Sequence, residues 1–330
     1  FFLYLATTPA HGPNLAATLD ANPHVSPAGR VEAPYRHHPP RDTVQARLER
    51  QGITVDHYSA GLALLDDQVG AVLDRLQALG LRENTLVVFV ADHGTEPGKA
   101  TTYEQGVRVP LLARWPGHTR PGSADRLVQL TDFWPTLADL AGAAPSPSRP
   151  IDGISFAPLL RGLPHEAPKR DHAYFEMGYA RALSDGTHKY VALRYPDALI
   201  DSMRTGSLRQ APNLLAMPGQ VHTTIAMKHY PHYFDANQFY NLDQDPYEQR
   251  NLMEHALPRD TLQRMRQSLK RILTTFERPF PLRTPAFMQS DTFRRMARRR
   301  RADADPGSIP WWPREFTWPP RSRTHALRMK

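Results

Sequence analysis

The sequence predicts an α/β fold, a mixed sheet with helices on both faces, followed by a small α+β subdomain built on an antiparallel sheet. Three observations carry that prediction. A long helical pattern of apolar residues leads, through a tight turn, into a Val- and Phe-rich run over residues 86–91. A second apolar run, over residues 109–114, follows a glycine-punctuated loop. Beyond residue 163 the texture changes to short strand patterns and then an amphipathic helix.

In order, Phe1–Ala6 reads as a core strand, so the chain looks like a piece of a longer one. His11 falls in the Pro/Gly turn near the end of that strand. Residues 14–40 have no periodicity, and with His24, His37 and His38 they read as a long surface loop. From Thr43 to Leu79 the pattern is helical. Tyr58, Leu62, Leu65, Val69, Val72, Leu76 and Leu79 form one apolar stripe, and Gly80 is placed to stop the helix. Asp66 and Asp67 are adjacent on this helix and point in different directions, so a solvated or capping role is expected.

The run Leu86–Ala91 reads as a buried strand. Asp92 and His93 stand at its C-terminal end, Gly94 lets the backbone turn, and a short loop delivers Lys99 before Tyr103–Arg108. Ligands of open α/β sheets bind just past the carboxyl ends of strands. An Asp, a His and a Lys placed there suit an anion held by a metal and a cation. A helix is expected near Phe133–Ala141, capped by Asp132, with Pro135 in its first turn and Gly142 at its end. Residues 143–150 read as a loop, and Ala157–Leu160 as a short helix closed by Arg161-Gly162.

Short strands are expected at 173–176, 181–183, 189–193 and 238–242, with Asp185-Gly186 as a hairpin turn. Residues 196–237 read as irregular, 245–249 as a turn, and 259–276 as a helix packed on the small sheet. Residues 281–330 combine the arginines at 294, 295 and 298–301 with prolines and with Trp311, Trp312 and Trp318. Such a mixture can form a nucleic-acid arm. The reading adopted is a partly disordered arm packing its tryptophans on the body, without nucleic-acid binding. The expected domains are 1–162, 163–280 and a basic tail over 281–330.

The formal charge of +8 suits anionic substrates. The 32 prolines argue for many extended connections. The absence of cysteine excludes disulfides and thiolate metal sites. No apolar run is long enough to span a bilayer as a helix.

Several ordered segments resemble the sulfatase family of the alkaline phosphatase superfamily. They are FFLYLATTPAHGP at 1–13, the helix and turn from Asp66 to Thr85, ADHG at 91–94, and GKATTYEQGVRVP at 98–110. RWPG, LTDFWPTLADLAG, DGISFAPLLRG, DGTHKYV and FYNLDQDPYEQRNL continue the match in order to about residue 255. The resemblance implies an alkaline-phosphatase-like α/β fold and metal-dependent hydrolysis of a sulfate ester. It implies that Asp92 and His93 ligate the metal, most often calcium, Ca2+. Many family members carry Asn where this chain has His93, which keeps Mg2+ and Mn2+ as alternatives. Lys99 would hold a sulfate oxygen, and His11 would hydrogen-bond the sulfate or the leaving oxygen. The implied substrate is a sulfated small molecule or glycan, and the implied setting periplasmic or secreted.

The departures carry equal weight. The family's nucleophile is a formylglycine made in a C/S-x-P-x-R motif, and residues 1–330 contain none; Ser146-Pro147-Ser148-Arg149 lacks that order. The family's other metal-binding acids, and the Lys and His that follow its nucleophile, are also missing. The expectation is a C-terminal portion of a sulfatase, inactive by itself, with formylglycine supplied by sequence upstream. A phosphonate or phosphate ester hydrolase on the same scaffold, or a non-catalytic relative, are the competing readings.

Overall fold

The computed structural model describes residues 1–9, 11, 19, 22, 25–26, 29–30, 43–143, 151–212, 221–255, 257–278 and 280–303. They fall into two compact units, one of residues 1–87 and 115–117, the other of 88–114 and 118–303.

In the first unit, helices α1 (Thr43–Arg50) and α2 (His57–Ala78) replace the single helix expected over 43–79. Gly52, at φ +69°, turns the chain between them. Asp56 accepts from the Ser59 N–H at 2.7 Å while Ser59 Oγ accepts from the Asp56 N–H at 2.8 Å, a reciprocal cap that fixes the start of α2. Gly80, at φ +68°, ends it as expected. Val44, Leu48, Ala60 and Leu64 form the buried contact between the helices. The stripe read from the sequence is therefore displaced, since Leu62 and Leu79 are exposed. Asp66 is exposed as expected, but Asp67 is buried and held bidentately by Arg47 at 2.8 and 2.5 Å. A partner twenty residues away overrides the solvated role expected of Asp67.

Phe1–Ala6 is a further correction. These residues are not a strand, and Phe1, Phe2, Leu3, Tyr4 and Leu5 are all exposed. A core strand needs ladder partners for its N–H and C=O groups, and no described strand pairs with this segment. A two-residue antiparallel pair, β1 (Val25–Ser26) and β2 (Gly29–Arg30), interrupts the expected loop over 14–40. His24, His37 and His38 lie outside the described residues.

In the second unit, β3 (Val87–Val90) and β4 (Leu111–Arg114) are hydrogen-bonded neighbours. β3 is half-buried, where a buried strand was expected. Between them sits a single helical turn, α3 (Glu104–Val107). Helix α4 (Phe133–Leu140) follows, and then α5 (Ala157–Leu160). Asp132 stands before α4 but does not cap it. Its buried carboxylate turns back to accept from the Gln129 N–H and the Ile154 N–H, both at 2.8 Å, and pairs with Arg170. These partners satisfy a charge that a cap alone would leave half solvated.

Four antiparallel strands form the second sheet in the order β5 (Ala173–Met177), β6 (Ala180–Ser184), β7 (His188–Leu193), β8 (Asn237–Asn241). The Asp185 carboxylate accepts from the N–H groups of Thr187 and His188, and Gly186 takes φ +93°, which closes the β6–β7 hairpin. Alternation gives the sheet two apolar faces. Leu183, Tyr190, Ala192 and Phe239 face α8 (Arg259–Leu273), which presents Leu262, Met265, Leu269 and Leu273.

The opposite face carries Ala180, Ala182, Val191, Leu193 and Tyr240. It is covered by Tyr103 and by two helices, α6 (Asp197–Arg204) and α7 (Val221–His229). Both helices lie where irregular structure was expected. Phe293 and Met296 of α9 (Asp291–Ala302) join the same cluster, so the start of the expected tail is an ordered helix, capped by Ser290. Trp311, Trp312 and Trp318 lie outside the described residues.

Candidate anion and cation site

The candidate site begins where β3 ends. The Asp92 side chain is 85% exposed and that of His93 46%. Asp92 Oδ1 accepts from the His93 N–H at 2.9 Å. His93 Nδ1 lies 2.7 Å from the Gly94 carbonyl, which can only accept, so Nδ1 carries the proton. The neutral ring then has its lone pair on Nε2, and Nε2 faces Asp92 Oδ2 at 3.5 Å. A carboxylate oxygen and an imidazole lone pair converging in this way are two donors of the kind a divalent cation takes. Among the described residues no third His, Cys, Asp or Glu joins them.

Lys99 is half-buried on the loop that follows. That loop is closed by backbone meeting backbone. The Gly94 N–H donates to the Gly106 carbonyl at 2.9 Å. A Cβ on Gly94 would lie 1.9 Å from the Gln105 carbonyl oxygen, and one on Gly106 would lie 2.1 Å from that of Gly98. Only hydrogen fits at either contact. Thr101 Oγ1 adds a bond to the Gly98 carbonyl at 2.6 Å and accepts from the Tyr103 N–H at 3.1 Å.

The next residues fasten this loop to the four-stranded sheet. Tyr103 is buried, stacked on Tyr230 with ring centroids 3.8 Å apart, and donates to Gln238 at 2.8 Å. Tyr230 donates to Gln105, and Tyr240 to Gln238, each at 2.8 Å. Burial pushes the hydroxyls of Tyr103, Tyr230 and Tyr240 well above their usual range, so all three stay protonated donors.

Lys189 extends the same fastening. It lies on β7, fully buried, with Nζ 2.8 Å from the Thr102 carbonyl, 2.9 Å from Glu104 and 3.3 Å from Glu248. Glu248 is also fully buried and accepts from the Glu104 N–H at 2.6 Å. It takes φ +56°, an uncommon conformation for a side-chain-bearing residue, in a turn where Asp245 accepts from the N–H groups of Gln249 and Arg250. Burial, and to a lesser degree the neighbouring Glu104, push the Glu248 carboxyl up to about 7 against the pull of Lys189.

The structure thus brings Asp92 and His93 together and places Lys99 on the adjoining loop. His11 belongs to the other unit, where it is exposed and its N–H bonds the Thr8 carbonyl at 2.9 Å. His232 is a structural residue, with Nδ1 2.7 Å from an Asp235 carboxylate that also accepts from Asn251. Sequence reasoning missed Lys189 and Glu248. A lysine inside the apolar run KYVAL was the one legible sign of a buried charge.

A family profile described as Sulfatase matches residues 1–143. A second, described as N-sulphoglucosamine sulphohydrolase, C-terminal, matches residues 93–194 and so spans the loop and the first three strands of the antiparallel sheet. Over residues 1–143 the chain matches the sulfatase family. Human arylsulfatase A is 42% identical over 144 residues, covering 39% of this chain and 28% of that protein. A sulfatase of Formosa agariphila is 34% identical over 207 residues, covering 52% of this chain and 37% of that protein. The solved phosphonate monoester hydrolase of Agrobacterium radiobacter aligns at 21% identity with a TM-score of 0.46, over 69% of this chain and 45% of that one. The chain therefore spans 28–37% of the length of the two curated relatives.

Proposed function

We propose that the protein to which this chain belongs hydrolyses sulfate esters of a small molecule or glycan, with Asp92 and His93 as two of its metal ligands and Lys99 as a sulfate contact. The observation that supports this most is the convergence of Asp92 Oδ2 and His93 Nε2 at the end of β3, beside a braced loop carrying a cation. A divalent cation bound there, calcium or else magnesium or manganese, supplies Lewis-acid polarisation of a sulfate oxygen. The Gly94 carbonyl holds His93 in the tautomer that leaves Nε2 free to ligate. Lys99 meets the second oxygen as a point charge. His11 is proposed to hydrogen-bond the sulfate or the leaving oxygen.

No group in residues 1–330 matches the formylglycine motif. This chain by itself is therefore proposed to bind metal weakly and to leave 4-nitrophenyl sulfate unhydrolysed. Metal-dependent release of 4-nitrophenol by these residues alone would overturn that statement. A phosphonate ester hydrolase would use the same aspartate–histidine pair. Rates with sulfate and phosphonate esters of one alcohol, measured on protein that carries the nucleophile, separate the two; faster phosphonate turnover would reverse the assignment.

A further inference from the structure

Helix α8 uses one face to cover the sheet and the other to border a groove of about 430 Å3. Arg259, Arg266 and Lys270 line it, at steps of seven and four along the helix, and their Cα positions span ~16 Å. Gln263 and Gln267 stand between them, and Leu262 and Leu282 contribute its apolar surface. No Asp or Glu among the described residues lines the groove. Among the described residues none of the three cations takes part in an ion pair, unlike Arg47, Arg170, Arg181 and Arg294 elsewhere in the chain.

Three cations in one concavity, with no carboxylate partner among the described residues, attract an anion with several charges. The aliphatic stems and the two leucines offer an apolar strip against which the C–H face of a sugar ring packs, while the heads of the cations and the glutamine amides reach its substituents. Among the described residues no aromatic side chain lines the groove, and these residues offer no platform on which single-stranded nucleic acid stacks its bases.

We propose that this groove binds a sulfated oligosaccharide, with Arg266 and Lys270 as its principal sulfate contacts. The choice of sulfate rests on the sulfatase reading above; the groove's preference for a multiply charged anion does not. The test is calorimetric titration of this chain with a dextran sulfate oligomer, at low and at raised salt. Binding that weakens with salt is expected, with no binding of unsulfated dextran. The exposed pair Arg266→Gln and Lys270→Gln together should weaken binding by about tenfold or more. Arg295→Gln with Arg298→Gln on α9 should leave it unchanged. Unaltered binding in the α8 variant overturns the proposal. So does tighter binding of an oligothymidylate of equal charge that the α8 substitutions abolish, since that outcome assigns the groove to nucleic acid. Ester turnover needs neither Arg266 nor Lys270 in the reading above, so failure of this test and failure of the sulfatase reading are separate results.

Discussion

Glu248→Gln offers a quantitative test of the buried network that fastens the Lys99 loop. Lys189 is one ammonium between two carboxylates, and both it and Glu248 are fully buried. One cation cannot compensate both acids in a dry site, so the fold retains a proton on Glu248 up to about pH 7, against an ordinary value of 4.5. The folded state then binds more protons than the unfolded state between those limits. The contribution of Glu248 to stability is therefore fully present below pH 4.5 and is lost as pH rises through 7. At about 1.4 kcal/mol per pH unit, the displacement corresponds to roughly 3 kcal/mol. Glutamine keeps the shape and neutrality of the protonated acid. Urea unfolding of both proteins from pH 4.5 to 8 should show a wild-type stability that declines relative to the variant by about that amount. Parallel curves, or a wild-type stability that rises relative to the variant, would refute the reasoning.

Further expectations concern the same loop and its support. At pH 8, above the Glu248 titration, Lys189→Met leaves the fully buried Glu248 carboxylate and its neighbour Glu104 without their cation and should cost about 3–5 kcal/mol, read as a lower urea midpoint at unchanged slope. At the same pH, replacing Lys189 and Glu248 together by methionine should cost less than Lys189→Met alone, because the buried Glu248 charge goes with its partner. Gly106→Ala drives a Cβ to 2.1 Å from the Gly98 carbonyl oxygen. It should cost about 1–3 kcal/mol or more and speed hydrogen exchange of the amides over 94–108. Gly70→Ala, within α2 and with nothing inside 4 Å of its added carbon, should instead stabilise by about 0.5–1 kcal/mol.

What was legible in the sequence was local. Gly80, Gly142 and Gly162 end helices where a stop was read, each at positive φ, because helix termination depends on a few adjacent residues. The β6–β7 hairpin follows Asp185-Gly186 for the same reason. The neighbouring placement of Asp92, His93 and Lys99 was legible because strand end, turn and loop are contiguous. What the sequence hid was long-range. Asp67 and Asp132 read as solvent-facing or capping, and each is claimed by an arginine or backbone group from another element. Helices α6 and α7 escaped notice because each spans only 8 or 9 residues, too few for a periodic stripe to stand out. Phe1–Ala6 has strand composition but no described strand beside it, and composition alone does not supply a ladder.

The proposed function has Asp92 and Lys99 act on a sulfate ester at the end of β3. Its most direct test is turnover of 4-nitrophenyl sulfate by nucleophile-bearing protein, with and without a chelator, beside Asp92→Ala and Lys99→Ala. Metal-dependent release of 4-nitrophenol is expected, falling by at least about a hundredfold in each variant, on the scale of losing one transition-state charge contact, while both variants remain folded. Undiminished turnover in either variant would contradict it.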